Sequence, residues 1–182
     1  MGVRRQAREA ALQALFSCDS LGSWDSSTIG ICFDHFGIND PVRSYAETLG
    51  RGVIEHLSEI ESKITCASDH WSLSRMAKVD RCILRLATYE ILCTDDIPIG
   101  VAIDEAIEIA KRFGTENSST FVNGVLDRVA TSINKQIEVI KVVKPKAEPD
   151  SVLLDSSLDS GELAELGDDA EIDKKSDSWR LL

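Results

Sequence analysis

Three arginines open the chain at a spacing that sets them on one side of a helix. Arg4, Arg5 and Arg8 precede Ala11, Leu12, Leu15 and Phe16, and at about 100° per residue all seven positions fall in one broad sector. The basic residues continue the apolar stripe instead of lying opposite it. A helix built this way buries its second half and is expected to project a three-arginine fork past the rim of the core. Cations in a first helical turn oppose the macrodipole, which points to a functional demand for them. The chemistry open to such a fork is electrostatic: contact with phosphates, or salt bridges within the protein. An ordinary solvated basic terminus is the plain alternative.

A second anomaly lies in segment 79–93, VDRCILRLATYEILC. Val79, Ile83, Leu86 and Ala87 share one helical face, and Glu90 falls in the middle of it. An unpaired carboxylate buried there would cost several kcal/mol. Glu90 therefore has either a buried cationic or hydrogen-bonding partner, or a place at an interface between molecules.

Catalytic constellations are missing. The sequence has no phosphate-binding glycine loop, nucleophile elbow, HExxH or paired metal ligands. His35, His56 and His70 are isolated from one another. The five cysteines (Cys18, Cys32, Cys66, Cys82 and Cys93) form no CxxC pair and are odd in number. Neither a disulfide framework nor a structural zinc site is expected, and reduced, mostly buried thiols suit a cytosolic protein. Cys82 and Cys93 sit on the apolar 79–93 segment, where burial should raise the thiol pKa. The pair Asp104-Glu105 reads as macrodipole compensation in a first turn. The expected protein is a non-enzymatic binder with no metal and no cofactor.

The elements that position these residues read as helices throughout. Segment 4–18 is the first, and 19–41 reads as loop with at most a short helix, given its glycines, Ser/Asp content and closing Pro41. Helix returns over 42–65, with Gly50 and Gly52 allowing close approach of a neighbour. A capping signal at Ser68 and Asp69 predicts a short helix carrying Trp71, Leu73 and Met76. After 79–93, Asp95-Asp96 is expected to cap a helix with Pro98 in its first turn, a small-residue face at Ala102, Ala106 and Ala110, and Gly114 as the stop. Asn117-Ser118-Ser119 then caps a final helix, and the mid-helix Gly124 suggests a close backbone contact. The fold class expected is an all-α bundle.

Charge divides the chain. It holds 182 residues, with 20 Lys+Arg against 31 Asp+Glu and a net charge of −11. That balance argues against a nucleic-acid partner until the charge is located. Residues 1–147 carry 17 Lys+Arg and 20 Asp+Glu, whereas residues 148–182 carry 3 and 11. The expected organisation is a helical domain over 1–140 and an acidic, disordered tail over 141–182. No run of 18 apolar residues occurs, so no membrane-spanning helix is expected. Glu9, Gln13 and Asp19 interrupt any targeting peptide at the N-terminus. The expected location is cytoplasmic.

Four segments in this order, RRQAREAALQALF (4–16), VDRCILRLATYEIL (79–92), IPIGVAIDEAIEIAKRFG (97–114) and FVNGVLDRVA (121–130), resemble the NusB family of transcription antitermination factors. The likeness spans about residues 3–134. It implies two three-helix bundles packed across one another. It further implies binding to the boxA element of ribosomal-RNA leader transcripts. The implied partners are NusE, a small-subunit ribosomal protein, together with other Nus factors and RNA polymerase. By position it makes Arg4, Arg5 and Arg8 RNA contacts. Phe16 stands where the family often has tyrosine, which keeps a stacking face and loses a phenolic hydrogen bond. Glu90 and Asp127 match positions tied to family function, at RNA or partner. The acidic segment after the last helix departs from the family pattern. One expectation is that it folds back on the arginine patch and competes with non-specific RNA; a solvated tail is the simpler view.

Three arginines on single-stranded RNA give a log–log salt slope of about −2. That term is small, so affinity should require base contacts and a basic partner. Two rival readings share the fold: the RNA-binding module of a ribosomal-RNA cytosine methyltransferase, which would require a downstream methyl-donor domain with a catalytic cysteine and is not the expectation here, and a protein-interaction scaffold whose arginines only make salt bridges. A homodimer of the free chain is left open.

Overall fold

Among the described residues, apolar side chains three and four residues apart bury themselves against one another in seven α-helices. The computed structural model describes residues 2–143 apart from His70, with side chains described through Ile133. The elements are α1 (Val3–Leu21), α2 (Ser26–His35), α3 (Val42–Glu55), α4 (Leu57–Ala67), α5 (Lys78–Cys93), α6 (Ile99–Phe113) and α7 (Ser118–Val143), with one 3-10 turn at Leu73–Arg75. Every regular element among the described residues is helical. Helices α1, α2 and α3 pack together; α5, α6 and α7 form a second group, with α4 against α5 and α7. Helix α5 also meets α1 and α3, which explains why eleven of its sixteen residues are buried.

Four local expectations are corrected. Segment 19–41 contains a ten-residue helix, α2, which the Asp25 carboxylate caps by accepting from the Ser27 N–H. Its glycine and serines masked Ile29 and Phe33, a four-residue pair that is fully buried. The expected 42–65 helix breaks at His56, whose φ of −102° and ψ of 15° leave the helical range. The break lets one apolar stripe serve two groups: α3 packs on α1 and α2, α4 on α5 and α7. The helix expected after Ser68 is only the 3-10 turn, and Trp71 is 55% exposed, tilted against Phe121. Gly124 has nothing within 4 Å of the position of an added Cβ, so no close backbone contact accounts for it.

Gly52 meets its expectation. A Cβ there would stand 2.1 Å from the Tyr89 ring of α5, which is 9% exposed. Gly52→Ala is expected to destabilise the chain by about 1–3 kcal/mol in urea unfolding, because overpacking outweighs the ~1 kcal/mol gained in helix propensity. Adding Tyr89→Leu should restore much of the loss. Parent-like stability in the single variant would mean that the ring swings aside.

Burial pushes the thiol pKa of Cys18 up to about 11 and that of Cys82 to about 12. Cys93 lies at the exposed end of α5, and its thiol is raised as well, chiefly by burial. Helix α7 runs to Val143, past the expected boundary at 140. From residue 144 onward the expected acidic tail lies outside the described residues. Among the described residues no helix is long and apolar enough to cross a membrane.

Candidate nucleic-acid interface

Helix α1 starts with no acidic residue in its first turn and no side-chain cap. Its cations are met instead by carboxylates from distant elements, in a ladder that runs from solvent into the core. At the outer rung, Arg4 Nη2 donates to Asp96 Oδ2 at 3.1 Å, both side chains more than 60% exposed. In the middle, Arg5 grips Glu105 of α6 with two bonds, Nε to Oε2 at 2.9 Å and Nη2 to Oε1 at 2.7 Å. Innermost, Arg8 Nε donates to both Glu90 oxygens, at 2.8 and 3.0 Å, with the side chains 4% and 1% exposed.

Tyr45 of α3 ties the ladder together. Its hydroxyl donates to Glu90 Oε1 at 2.9 Å, and the guanidinium carbons of Arg4 and Arg8 lie 5.6 and 6.0 Å from its ring centre. Burial together with the Glu90 charge pushes the Tyr45 pKa up, so the phenol stays protonated and serves as a donor. Burial works against the Arg8 charge, but the hydrogen bond and charge of Glu90 prevail and raise its pKa. The Glu105 carboxyl is held below its usual range, first by the hydrogen bonds from Arg5. Arg8 Nη1 is also 3.6 Å from Glu105, which links the inner and middle rungs.

The expected three-arginine fork is thus corrected at Arg8. Arg4 and Arg5 stand at the rim, while Arg8 turns inward. The cause is Glu90: a carboxylate in the middle of the apolar α5 face needs a cation, and Arg8 supplies it. Of the two placements open to Glu90, the buried partner is the one observed.

Phe16 lies eleven residues beyond Arg5, about 16 Å along the helix. It is 38% exposed and borders a groove of about 680 Å³ whose walls include Gln13, Ile38, Val42, Val79 and Phe113. Asp127 is exposed on α7, a helix that packs on α4, α5 and α6. Its neighbour Arg128 reaches Asp69 at 2.9 Å and the Ala67 carbonyl at 3.1 Å. The structure brings Glu90 to the arginine end and sets Asp127 on a different helix surface.

The partners of Arg4 and Arg5 are not evident from the sequence. Asp96 was expected to cap α6, yet α6 starts from Pro98 with no side-chain cap, and Asp96 turns to Arg4. Glu105 does not lie in the expected first turn: α6 begins at Ile99 and has no acid in that turn. A signal for Glu105 was present: it falls between Ala102, Ala106 and Ile109, all buried, on the edge of a packing face. Among the described residues no group of His, Cys, Asp and Glu is arranged to hold a metal.

A model of the NusB family matches residues 5–131. The chain belongs to the NusB family. A transcription antitermination protein NusB from Geobacter sulfurreducens is 48% identical over 134 residues, covering 73% of this chain and 97% of the relative. Among solved structures, T. maritima NusB is 44% identical with a TM-score of 0.65, covering 74% of this chain and 96% of its own. A crystal structure of antitermination factors NusB and NusE in complex with double-stranded RNA is 27% identical with a TM-score of 0.64, covering 71% and 97%. The NusB family match begins at Arg5 and spans Arg8, Phe16, Glu90, Glu105 and Asp127, so the whole ladder except Arg4 and Asp96's partnership with it lies inside family sequence.

Proposed function

We propose that this chain is a non-enzymatic, cytoplasmic transcription antitermination factor that binds the boxA element of ribosomal-RNA leader transcripts. In this reading it acts with the ribosomal protein NusE, and the pair helps other Nus factors and RNA polymerase pass termination signals. The observation that carries the reading is the division of labour along α1. Arg8 is committed to Glu90 in the core, whereas Arg4 and Arg5 are presented at an exposed rim on the same helix as a part-exposed aromatic ring. The names of the relatives, and a relative solved with NusE and RNA, support it.

The roles follow from position. Arg4 and Arg5 contact phosphates, and Phe16 stacks on an unpaired base. Arg8 and Glu90 serve RNA binding by fixing α1 against α3 and α5. Asp127, on the α7 surface, suits a basic partner. Two rim arginines yield a salt slope of at most about −1.4, shallower than three would give. So small an electrostatic term in an acidic chain calls for a basic partner that completes the RNA surface.

Fluorescence anisotropy tests the reading with a boxA-type RNA, a scrambled strand and a duplex control, with and without NusE. Preference for boxA that sharpens when NusE is added is the expected result. Equal, weak binding to all three in both conditions would leave a protein-interaction scaffold, a role to which the groove beside Phe16 is suited.

A further inference from the structure

Arg4 and Arg5 each donate to a carboxylate from another element, Asp96 and Glu105. We propose that Glu105 and Asp96 form an intramolecular latch that competes with RNA for Arg5 and Arg4. The inference rests on the reading of Arg4 and Arg5 as the RNA-facing residues, and it concerns what limits their affinity.

Three features of the geometry carry it. First, the Arg5–Glu105 pair is two parallel N–H···O bonds of 2.9 and 2.7 Å, the same planar fork that guanidinium offers to a phosphate. A phosphate cannot use that face of Arg5 while Glu105 holds it. Second, Glu105 lies beyond the first turn of α6, where the helix dipole no longer accounts for an acid. Its carboxylate is 19% exposed and aimed at α1. Third, the latch can open without stranding its own charge. When Arg5 swings out, Glu105 keeps Arg8 Nη1 at 3.6 Å. Asp96 is 64% exposed, so water can take the place of Arg4.

Competition of this kind lowers both affinity and salt dependence. An arginine that is already neutralised releases little net charge when it changes partner from carboxylate to phosphate. Removing the competing charge should restore the full contribution of each arginine. Glu105→Gln keeps the shape and one acceptor while removing the charge; Asp96→Asn does the same at the outer rung.

The test measures binding of poly(U) and of boxA RNA across a salt series for the full chain and four variants: Glu105→Gln with Asp96→Asn, Arg5→Ala, Glu105→Gln in the Arg5→Ala background, and Glu108→Gln. Glu108 lies on the same helix and pairs with Lys111 at 2.7 Å, so its variant removes equal charge and acts on Arg5 through its field alone, with no hydrogen bond to Arg5 broken. Thermal melts confirm that each variant is folded. The Glu105/Asp96 double variant is expected to bind poly(U) about three- to ten-fold more tightly at low salt. Its slope should steepen toward −1.4, by up to about 0.7 per arginine released. Glu105→Gln should add nothing once Arg5 is alanine, the mark of a pairwise coupling rather than a general field.

An equal gain from Glu108→Gln, an undiminished gain without Arg5, or no gain at all would overturn the latch. Absence of poly(U) binding by every variant would overturn it together with the RNA reading. If the latch variants tighten on poly(U) while boxA RNA binds no more tightly than poly(U), the latch stands and the boxA reading falls.

Discussion

Replacing Glu90 with alanine is expected to cost about 3–5 kcal/mol of folding stability, the range for removing one partner of a buried ion pair. The Arg8 side chain is 4% exposed, so its charge would be left in the core with only Glu105 nearby, at 3.6 Å. The Tyr45 hydroxyl would lose its acceptor as well. Urea unfolding followed by circular dichroism reads the loss directly, and the melting temperature should fall by on the order of 10 °C. Replacing both charges, Arg8→Met with Glu90→Leu, should be far milder, because apolar residues of similar volume avoid the desolvation that the pair must overcome. A loss below ~1 kcal/mol in Glu90→Ala would mean that water reaches Arg8 and that the inner rung is not dry.

The second large effect lies at the other end of α1. The Asp19 side chain is 5% exposed and accepts from Arg81 Nε and from Arg85 Nη1, both at 2.9 Å. Arg81 Nη2 adds a further short bond. Arg85 also donates to Glu61 Oε1 from Nε and Nη2, at 3.0 and 2.7 Å, and stacks 4.6 Å over the Trp24 ring. Burial alone would raise the Asp19 pKa, but the hydrogen bonds from Arg81 and Arg85 outweigh it and bring the carboxyl below its ordinary 3.8. A folded-state pKa below the unfolded value stabilises the fold above the unfolded pKa and loses that contribution as pH falls through the folded one. Asp19→Asn is therefore expected to cost about 3 kcal/mol at pH 7. The gap to the parent chain should begin to narrow below about pH 4, where the Asp19 carboxylate of the unfolded chain takes up its proton, and shrink further as pH falls through the lower pKa of the folded chain. Urea midpoints at pH 7, 5 and 3 check this; a gap independent of pH would assign the loss to packing.

These two sites differ in how far the sequence reveals them. Glu90 is legible because a charge in the middle of an apolar helical face is a contradiction that only a partner resolves. The identity of that partner is not legible, since the three arginines share one sector of α1 and only tertiary packing separates Arg8 from the other two. Asp19 falls in a stretch that reads as loop, and nothing local marks it as the meeting point of Arg81 and Arg85. Helices α1, α5, α6 and α7 show clearly in the three-and-four spacing of Leu, Ile, Val and Ala. Helix α2 does not, because two anchors, Ile29 and Phe33, suffice to bury it amid residues that favour turns. The break at His56 has neither proline nor glycine at the turn itself; it arises from the need of α3 and α4 to face different neighbours.

The candidate interface repeats the pattern. Its cations are visible as an N-terminal cluster, but Asp96 and Glu105 carry ordinary local explanations, a cap and a dipole, that conceal their partnership with Arg4 and Arg5. A carboxylate that satisfies a local rule can still be aimed at a distant cation. Position within the actual helix, rather than within the sequence motif, is what separates the two.

The most direct measurement of the account is the salt dependence of boxA RNA binding, with NusE present, for the parent chain and an Arg4→Ala/Arg5→Ala variant. Both side chains sit in ion pairs at the rim, 61% and 36% exposed, so the variant should melt within a few degrees of the parent. The expected result is weaker binding at low salt, with a log–log slope shallower by only part of about 1.4, because Asp96 and Glu105 already neutralise much of each arginine. Unchanged affinity and slope in the folded variant would contradict the account and place the RNA on another face of the chain.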